Sequence, residues 1–290
     1  MLGHALMPVL EEKHQVAGLS RRDCDLCDER AVQEVFRLQR PDLVVHLAAW
    51  TDVDGCEREP QKATAWNEAA TFHVASAAKQ IGAAVLFVST DYVFDGRATQ
   101  PYPEEAQPNP LNVYGKTKLK GEEIIAGMLD RYFIVRTSWL FGPDGKNFVT
   151  TVLRLAQEQS ELRVVNDQRG SPTYTRHLAR KLAELATTNQ YGTYHITGDG
   201  DCTWFEFARK IIELSAIEGV QVLPISSAEC GRPALRPAYS VLANRKLSLL
   251  GMGLLPHWKA GLKSYLEEIS NGGHSADKTR WKRTAYPQPA

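Results

Sequence analysis

The chain has 290 residues, a length that allows one large domain or one and a half. Hydrophobic residues make up 43% and charged residues 23%, proportions typical of a globular protein with a full core. Because 34 basic residues balance 34 acidic ones, the charge argues against a nucleic-acid or membrane-surface role. No stretch approaches the roughly 18 apolar residues that span a bilayer, so we expect a soluble protein without nucleic-acid or membrane partners.

The five cysteines and the N-terminus bear on the compartment. An odd number of cysteines fits a reducing environment, and residues 1–4 do not begin a signal peptide. Cys24 and Cys27 form a CxxC pair, but no second pair completes a zinc site. We interpret these two residues as thiols in a loop, and we predict a cytoplasmic protein.

The first half of the chain alternates strand-like and helix-like segments. Apolar runs predict strands, and longer segments between them predict helices. The predicted strands are 14–20, 42–49, 83–88 and 132–137, and the predicted helices are 28–39, 60–81 and 111–129. Strands spaced by helices are typical of βαβ units, so we predict an α/β fold with a Rossmann-like, doubly wound parallel sheet over residues 1–145.

After residue 145 the alternation of strand-like and helix-like segments becomes less regular. Helices are predicted at 147–159, 175–188, 203–216 and 257–270, with strand-like pieces near Arg163, Tyr194 and Val222. This pattern predicts a smaller α+β substrate-binding domain over residues 146–270, with some segments returning to the Rossmann core. The polar residues 271–290 predict a disordered tail.

Tyr114 and Lys118 lie four residues apart on a predicted helix and therefore share one of its faces. A phenol with a pKa of about 10 is a poor acid–base catalyst at neutral pH. An ammonium group one turn away would favour the phenolate and lower that pKa. Alone, the spacing is equally compatible with a surface Tyr–Lys pair.

The predicted strand 83–88 is followed by Ser89, Thr90 and Asp91. Ligands of open α/β sheets bind beyond the carboxyl ends of the strands. A hydroxyl group there, followed by a helix with Tyr and Lys, suits carbonyl reduction, because the hydroxyl holds the substrate oxygen, the tyrosine supplies a proton and a cofactor supplies hydride. The alternative is that these residues only cap a turn or helix.

Three motifs in this order resemble the dTDP-4-dehydrorhamnose reductase family of extended short-chain dehydrogenases/reductases. They are STDYVFDG (89–96), NVYGKTKLKGE (112–122) and RTSWLFG (136–142). Further likeness lies at 46–67, 168–179, 194–208 and 236–242. The resemblance implies NADPH-dependent reduction of the 4-keto group of dTDP-4-dehydro-L-rhamnose to dTDP-L-rhamnose. Two readings stay open: a non-catalytic subunit similar to the regulatory β subunit of methionine adenosyltransferase, and another nucleotide-sugar epimerase or dehydratase.

The resemblance implies roles for individual residues. The catalytic set is Thr90, Tyr114 and Lys118. Thr90 and Tyr114 also contact the nucleotide-sugar substrate, together with Asp91, which touches the sugar, and Trp139, which packs on the deoxysugar. Arg236 lies in a segment that faces the diphosphate, which a guanidinium can bind bidentately. The alternatives are a core tryptophan for Trp139 and a surface salt bridge for Arg236.

A cofactor-binding set is implied as well, with Asp25 and Leu26 near the adenine and residues 48–50 along the cofactor. The set is Gly3, Ser20, Arg21, Asp25, Leu26, Ala48, Ala49, Trp50 and Lys118. The predicted strand 14–20 should end at the adenosine ribose, where an acidic residue would bind the 2′-hydroxyl of NAD. Ser20, Arg21 and Arg22 stand there instead and favour the 2′-phosphate of NADPH, with NADH as the alternative.

The chain departs from the family at its start. A Rossmann fold opens with a strand and a GxxGxxG loop that cradles the pyrophosphate, and here only Gly3 matches, as the last glycine. We interpret Met1 as an internal methionine, with the first strand and the loop encoded upstream. The alternative is a short protein that binds its cofactor poorly.

A second departure concerns metal binding. Some members bind magnesium between subunits through glutamates, and the matching positions here are Ala5 and Arg176. We therefore predict no metal site, and a monomer or weak homodimer.

Overall fold

Ten strands and twelve α-helices make up the computed structural model, which describes residues 1–271. The strands are β1 (Leu43–His46), β2 (Ala84–Thr90), β3 (Tyr132–Thr137), β4 (Leu140–Phe141), β5 (Glu161–Val165), β6 (Arg169–Gly170), β7 (Thr173–Tyr174), β8 (Gly192–His195), β9 (Cys202–Thr203) and β10 (Gln221–Ile225). The main sheet is parallel and has the order β1-β2-β3-β8. The interior strand β2 is buried along almost its whole length, as expected for a strand covered on both faces.

The helices follow the predicted segments closely. They are α1 (Leu2–Glu11), α2 (Glu29–Gln39), α3 (Val53–Arg58), α4 (Pro60–Ala63), α5 (Ala70–Ile81), α6 (Val113–Met128), α7 (Phe148–Glu158), α8 (Thr175–Ala186), α9 (Trp204–Leu214), α10 (Ser227–Cys230), α11 (Arg245–Leu249) and α12 (Trp258–Ser270). A π-helical stretch, Thr64–Ala69, joins α4 to α5, so the predicted helix 60–81 is one helical run with a wider turn inside it. Among the described residues, no helix is long and apolar enough to cross a membrane.

Helices cover both faces of the main sheet. On one face α1 and α8 bury Leu6 and Leu182 against Leu86 of β2. On the other face α2, α5 and α6 pack against Phe87, the next residue of the same strand. Successive strand residues point to opposite faces, so β2 supplies both cores. The predicted α/β, Rossmann-like, doubly wound fold is confirmed.

A second core lies outside the main sheet. Helices α7, α9 and α12 enclose Phe207 and Leu262, beside the two-stranded pair of β5 and β10. The strand-like piece near Tyr194 is β8, which pairs with β3 and so returns to the main sheet. The division into domains at residue 145 stays a prediction, and residues 272–290 of the predicted tail lie outside the described residues.

The prediction of a strand at residues 14–20 was wrong, because residues 15–20 form no regular secondary structure. An extended segment becomes a strand only when its backbone N–H and C=O groups form hydrogen bonds with a neighbouring strand. In the described part of the chain, β1 pairs with β2 alone, and residues 15–20 have no strand beside them.

A buried ion pair links the main sheet to α6. Nη2 of Arg136, on β3, lies 2.6 Å from Oε2 of Glu122, and both side chains are almost fully buried. Nη1 of Arg136 also lies 3.3 Å from Nε2 of His195. Burial, and then the charge of Arg136, lower the pKa of His195 to about 3, so the histidine is neutral. Glu122 is therefore the main counter-charge of this guanidinium.

Glu122→Gln should lower the free energy of unfolding by about 3 kcal/mol, because it leaves a buried guanidinium without a charged partner. Replacing both members, as Glu122→Gln with Arg136→Met, should recover part of that loss. The matched control is Glu123→Gln, since Glu123 pairs with Lys120 at the surface and should contribute less than about 1 kcal/mol. Urea unfolding measures all three, and equal losses at positions 122 and 123 would contradict the account.

Candidate active site

The carboxyl end of β2 carries the predicted hydroxyl group. Thr90 is the last residue of β2, is buried, and pairs in register with Thr137 at the end of β3. Its Oγ1 donates to Oδ1 of Asp91 at 3.1 Å and accepts the N–H of Tyr92 at 3.2 Å. Thr90 therefore caps the short 3₁₀ turn Asp91–Val93, as the alternative expected, and still faces the next helix.

Asp91 is a buried carboxyl group held by two hydroxyls. Oδ2 accepts a hydrogen bond from Oγ of Ser240 at 2.6 Å, and Oδ1 accepts the one from Thr90. Burial raises the pKa of Asp91 to about 7, although these hydrogen bonds act in the opposite direction. Its protonation therefore changes near neutral pH. Ser240 was missed by the sequence analysis, because it lies 149 residues away.

Helix α6 packs directly on the turn that follows β2. Asn112 caps the helix by accepting the N–H of Gly115 at 2.8 Å. A Cβ atom at Gly115 would lie only 2.2 Å from the carbonyl oxygen of Tyr92. Only glycine allows this approach, which places the first turn of α6 against the end of β2.

Tyr114 faces Thr90 from that first turn of α6. Burial raises the pKa of its phenol, and a hydrogen bond with the Thr90 hydroxyl lowers it by a smaller amount. The ring of Tyr92 packs edge-on at 6.1 Å from that of Tyr114. The expectation that Lys118 lowers the pKa of Tyr114 was wrong for this arrangement, because burial outweighs every other influence on the phenol.

Lys118 belongs to α6, and its side chain is buried between that helix and β2. Its Nζ donates to the carbonyl oxygen of Val88 at 2.8 Å and lies 3.9 Å from the ring centre of Phe87. Burial lowers the pKa of this amine to about 7. The predicted catalytic residues Thr90, Tyr114 and Lys118 thus all lie at the end of β2, as expected from the topology.

One buried amide ties this site to the segment after β1. Oδ1 of Asn67 accepts the N–H of Trp50 at 2.7 Å, and Nδ2 donates to the Trp50 carbonyl and to Oγ1 of Thr117. Thr117 precedes Lys118, so Asn67 connects the predicted cofactor-lining segment to the catalytic helix. Asn67 was not predicted as part of the site, because nothing in the local sequence pattern marks its hydrogen-bond partners.

The predicted adenosine-binding residues lie in a short turn before α2. Oγ of Ser20 donates to Asp23 at 2.6 Å, and Oδ1 of Asp25 accepts the N–H of Cys27. The guanidinium of Arg21 lies 4.0 Å above the ring of Trp66. Leu26 is partly buried against the helices of this face of the sheet.

The remaining predicted cofactor residues lie near the carboxyl end of β1. Ala48 is exposed and Ala49 partly buried. Gly3 lies in the first turn of α1, where an added Cβ would meet Cδ1 of Leu47 at 3.7 Å, an ordinary contact. Packing alone therefore does not require glycine at residue 3.

Trp139 lies just beyond β3 in a left-handed conformation, with φ of 48°. Its ring stacks on that of Trp204 with the centres 3.5 Å apart, and an added Cβ at Gly170 would lie 2.6 Å from the ring. The side chain joins the second core, as the alternative expected. A non-glycine residue in this strained conformation often marks a functional site, so contact with a sugar stays a prediction.

Arg236 is anchored rather than free. Its Nη1 donates to Oδ1 of Asp54 at 3.0 Å and its Nη2 donates to Oδ2 at 3.0 Å, while Nη1 of Arg232 lies 3.2 Å from the same Oδ2. Burial disfavours the charged form of Asp54, but hydrogen bonds from Arg236 and the Ala234 N–H hold its pKa below the usual value. Burial raises the pKa of the Tyr92 phenol, and the positive charge of Arg236 acts to lower that pKa by a smaller amount.

The comparisons with known proteins agree with this geometry. The family model of the RmlD substrate binding domain matches residues 1–271. The chain belongs to this family. It is 42% identical over 259 residues to the spore coat polysaccharide biosynthesis protein SpsK of Bacillus subtilis, covering 89% of this chain and 90% of that protein.

Two further members of the RmlD family carry the name dTDP-4-dehydrorhamnose reductase. The protein of Streptomyces griseus is 41% identical over 269 residues, covering 90% of this chain and 88% of that protein. The crystal structure of the Bacillus anthracis protein in complex with NADP has a TM-score of 0.87 and 40% identity, covering 91% of this chain and 95% of that chain.

Ala5 and Arg176 are the positions at which the sequence predicted no metal ligand. Nε of Arg176 donates to Oε2 of Glu268 at 2.8 Å, and Ala5 is buried in α1. Within residues 1–271, no three His, Cys, Asp or Glu side chains are grouped to hold a metal ion. Cys24 is buried and Cys27 exposed, and both are free thiols.

Asp91→Asn should change the pH dependence of stability in a defined direction. A carboxyl whose pKa is raised from 3.8 to about 7 binds more protons folded than unfolded, so its contribution to stability falls as pH rises through that window. Relative to the wild type, the variant should gain stability between about pH 4 and 7, by up to about 4 kcal/mol. Urea unfolding at several pH values measures the difference, and a difference independent of pH would contradict the raised pKa.

Gly115→Ala should lower the free energy of unfolding by about 1–3 kcal/mol, because the new Cβ forces α6 away from the Tyr92 carbonyl. The matched control is Gly127→Ala in the same helix, where nothing lies within 4 Å of an added Cβ. That control should instead stabilise the protein by about 0.5–1 kcal/mol. If both variants shift the unfolding midpoint in the same direction, the close contact is not a constraint.

Proposed function

We propose that this chain is an NADPH-dependent reductase that converts the 4-keto group of dTDP-4-dehydro-L-rhamnose to the alcohol of dTDP-L-rhamnose. The observation that carries the proposal is the close packing of the first turn of α6, which holds Tyr114, on the end of β2, which holds Thr90. It occurs in a chain that is 41% identical to a protein named dTDP-4-dehydrorhamnose reductase.

The hydroxyl groups have the protonation that carbonyl reduction requires. The Tyr114 phenol carries its proton at neutral pH and can donate it to the carbonyl oxygen. Burial raises its pKa and makes it a weaker acid than a free tyrosine, so the role rests on the position of the phenol at the end of β2 and not on its acidity. Thr90, the last residue of β2, would hold the carbonyl oxygen beside the phenol. A bound nicotinamide supplies the hydride, and the transferred proton completes the alcohol.

The chain has groups that suit a dinucleotide. The hydroxyls of Ser89 and Thr137, near the carboxyl ends of β2 and β3, are buried with no hydrogen-bond partner among the described residues. Buried polar atoms normally have partners, so a polar ligand at this edge would satisfy them. Lys118 would hold a ribose hydroxyl, Ser20, Arg21, Asp25 and Leu26 the adenosine end, and Gly3, Ala48, Ala49 and Trp50 the part between.

The nucleotide sugar would lie between the site and the second core. Asp91 would hydrogen-bond the sugar, and the Trp139 ring would offer it an apolar surface. Arg236 would face the diphosphate with its orientation already set by Asp54, which lowers the entropy lost on binding.

We also propose a cytoplasmic protein that is a monomer or weak homodimer. The free state of the five cysteines supports a reducing compartment. The Arg176–Glu268 ion pair supports the oligomeric state, because a position that binds metal between subunits in some relatives holds an arginine paired within its own chain.

Tyr114→Phe should lower kcat for oxidation of NADPH with dTDP-4-dehydro-L-rhamnose by about 10²–10⁴-fold, because the phenol is the proton donor. Absorbance at 340 nm follows the reaction. The control is Tyr132→Phe at the start of β3, which removes a phenol hydroxyl outside the site and should keep wild-type kcat.

Turnover by the chain that disappears in Tyr114→Phe supports the proposal. If the folded chain does not turn over the substrate, the reductase proposal fails and the regulatory-subunit reading replaces it.

A further inference from the structure

Two indole rings and two cations meet on the surface beside the carboxyl end of β1. The guanidinium of Arg21 lies 4.0 Å from the ring centre of Trp66. Nζ of Lys62 lies 4.4 Å from the ring centre of Trp50 and 5.6 Å from that of Trp66. The two ring centres are 6.0 Å apart. We call Arg21, Trp50, Lys62 and Trp66 the indole–cation cluster.

The backbone of Trp66 is firmly placed. Trp66 lies in the π-helical stretch Thr64–Ala69, a rare conformation that often occurs at functional sites. Its neighbour Asn67 is buried and bonded to Trp50 and Thr117. The same short segment therefore fixes one side chain inside the protein and presents an indole ring to Arg21 outside.

The cations of the cluster keep donors available for an anion. The ion pair of Arg21 with Asp25 is long, at 3.7 Å, and both side chains are largely exposed. An exposed pair of this kind contributes little. A guanidinium that stacks on a ring by its planar face leaves the N–H groups at its edge free to bind a phosphate.

Recognition of the 2′-phosphate by Arg21 belongs to the proposed NADPH-dependent activity. We propose that Trp66 is a positioning residue that holds the Arg21 guanidinium in place for that phosphate. The inference rests on the proposed NADPH-dependent activity and deepens it. The 2′-phosphate is the only difference between NADPH and NADH, so Trp66 sets the preference between the two cofactors without touching the reacting atoms.

The test compares two probes that differ only in the 2′-phosphate: adenosine 2′,5′-bisphosphate and adenosine 5′-monophosphate. Isothermal titration calorimetry gives Kd for both, and their ratio is the readout. Trp66→Leu should reduce the preference for the bisphosphate by roughly three- to tenfold, the loss of one cation–π contact. Trp66→Phe, which keeps an aromatic face, should retain the ratio within about twofold.

The matched control is Phe72→Leu, which removes an exposed aromatic ring from α5, the helix that continues the same run. It should leave both Kd values unchanged. If Trp66→Leu weakens both probes equally or leaves their ratio unchanged, Trp66 does not position Arg21 and the inference is overturned, while the proposed activity stands. If the wild type itself shows no preference for the bisphosphate, the NADPH assignment fails together with the inference.

Discussion

The site depends on one close contact, that between the first turn of α6 and the carbonyl oxygen of Tyr92. Because residue 115 has no side chain, the helix reaches the end of β2. That approach sets the Tyr114 phenol against the Thr90 hydroxyl, and one turn later it places the Lys118 amine on the Val88 carbonyl. Packing thus determines both the positions of the reactive groups and the burial that shifts their pKa values.

Buried polar contacts fix the positions of the segments that surround this contact. Asn67 joins the segment after β1 to α6, while Asp54 joins α3 to the 232–236 loop through Arg236. Removing one partner of either contact would lower the stability of the fold, because the buried group left without a hydrogen bond costs its full desolvation energy. The predicted cofactor-lining segment and the predicted diphosphate-facing loop are therefore each held by a buried side chain.

The Rossmann-like fold and the meeting of Thr90, Tyr114 and Lys118 at the end of β2 could be predicted from local signals: apolar runs at the right intervals, a hydroxyl after a buried strand, and a Tyr–Lys spacing of four. The failures have physical reasons. Residues 14–20 look like a strand, but pairing depends on a neighbour that the segment itself does not specify. The partners Asp54 and Arg236, or Trp139 and Trp204, are far apart in sequence and meet only through the fold. The direction of the Tyr114 pKa shift depends on burial, which the spacing does not reveal.

Titration of the Tyr114 phenol tests the central claim most directly, because its pKa reports how closely α6 packs on the end of β2. The measurement is the ultraviolet absorbance of phenolate as a function of pH, taken as the difference between the wild type and Tyr114→Phe. The account predicts that the phenol lost in the variant ionises above the usual value of 10. A transition at or below that value would show that Tyr114 is solvated or tuned by Lys118, and would contradict the packing described here.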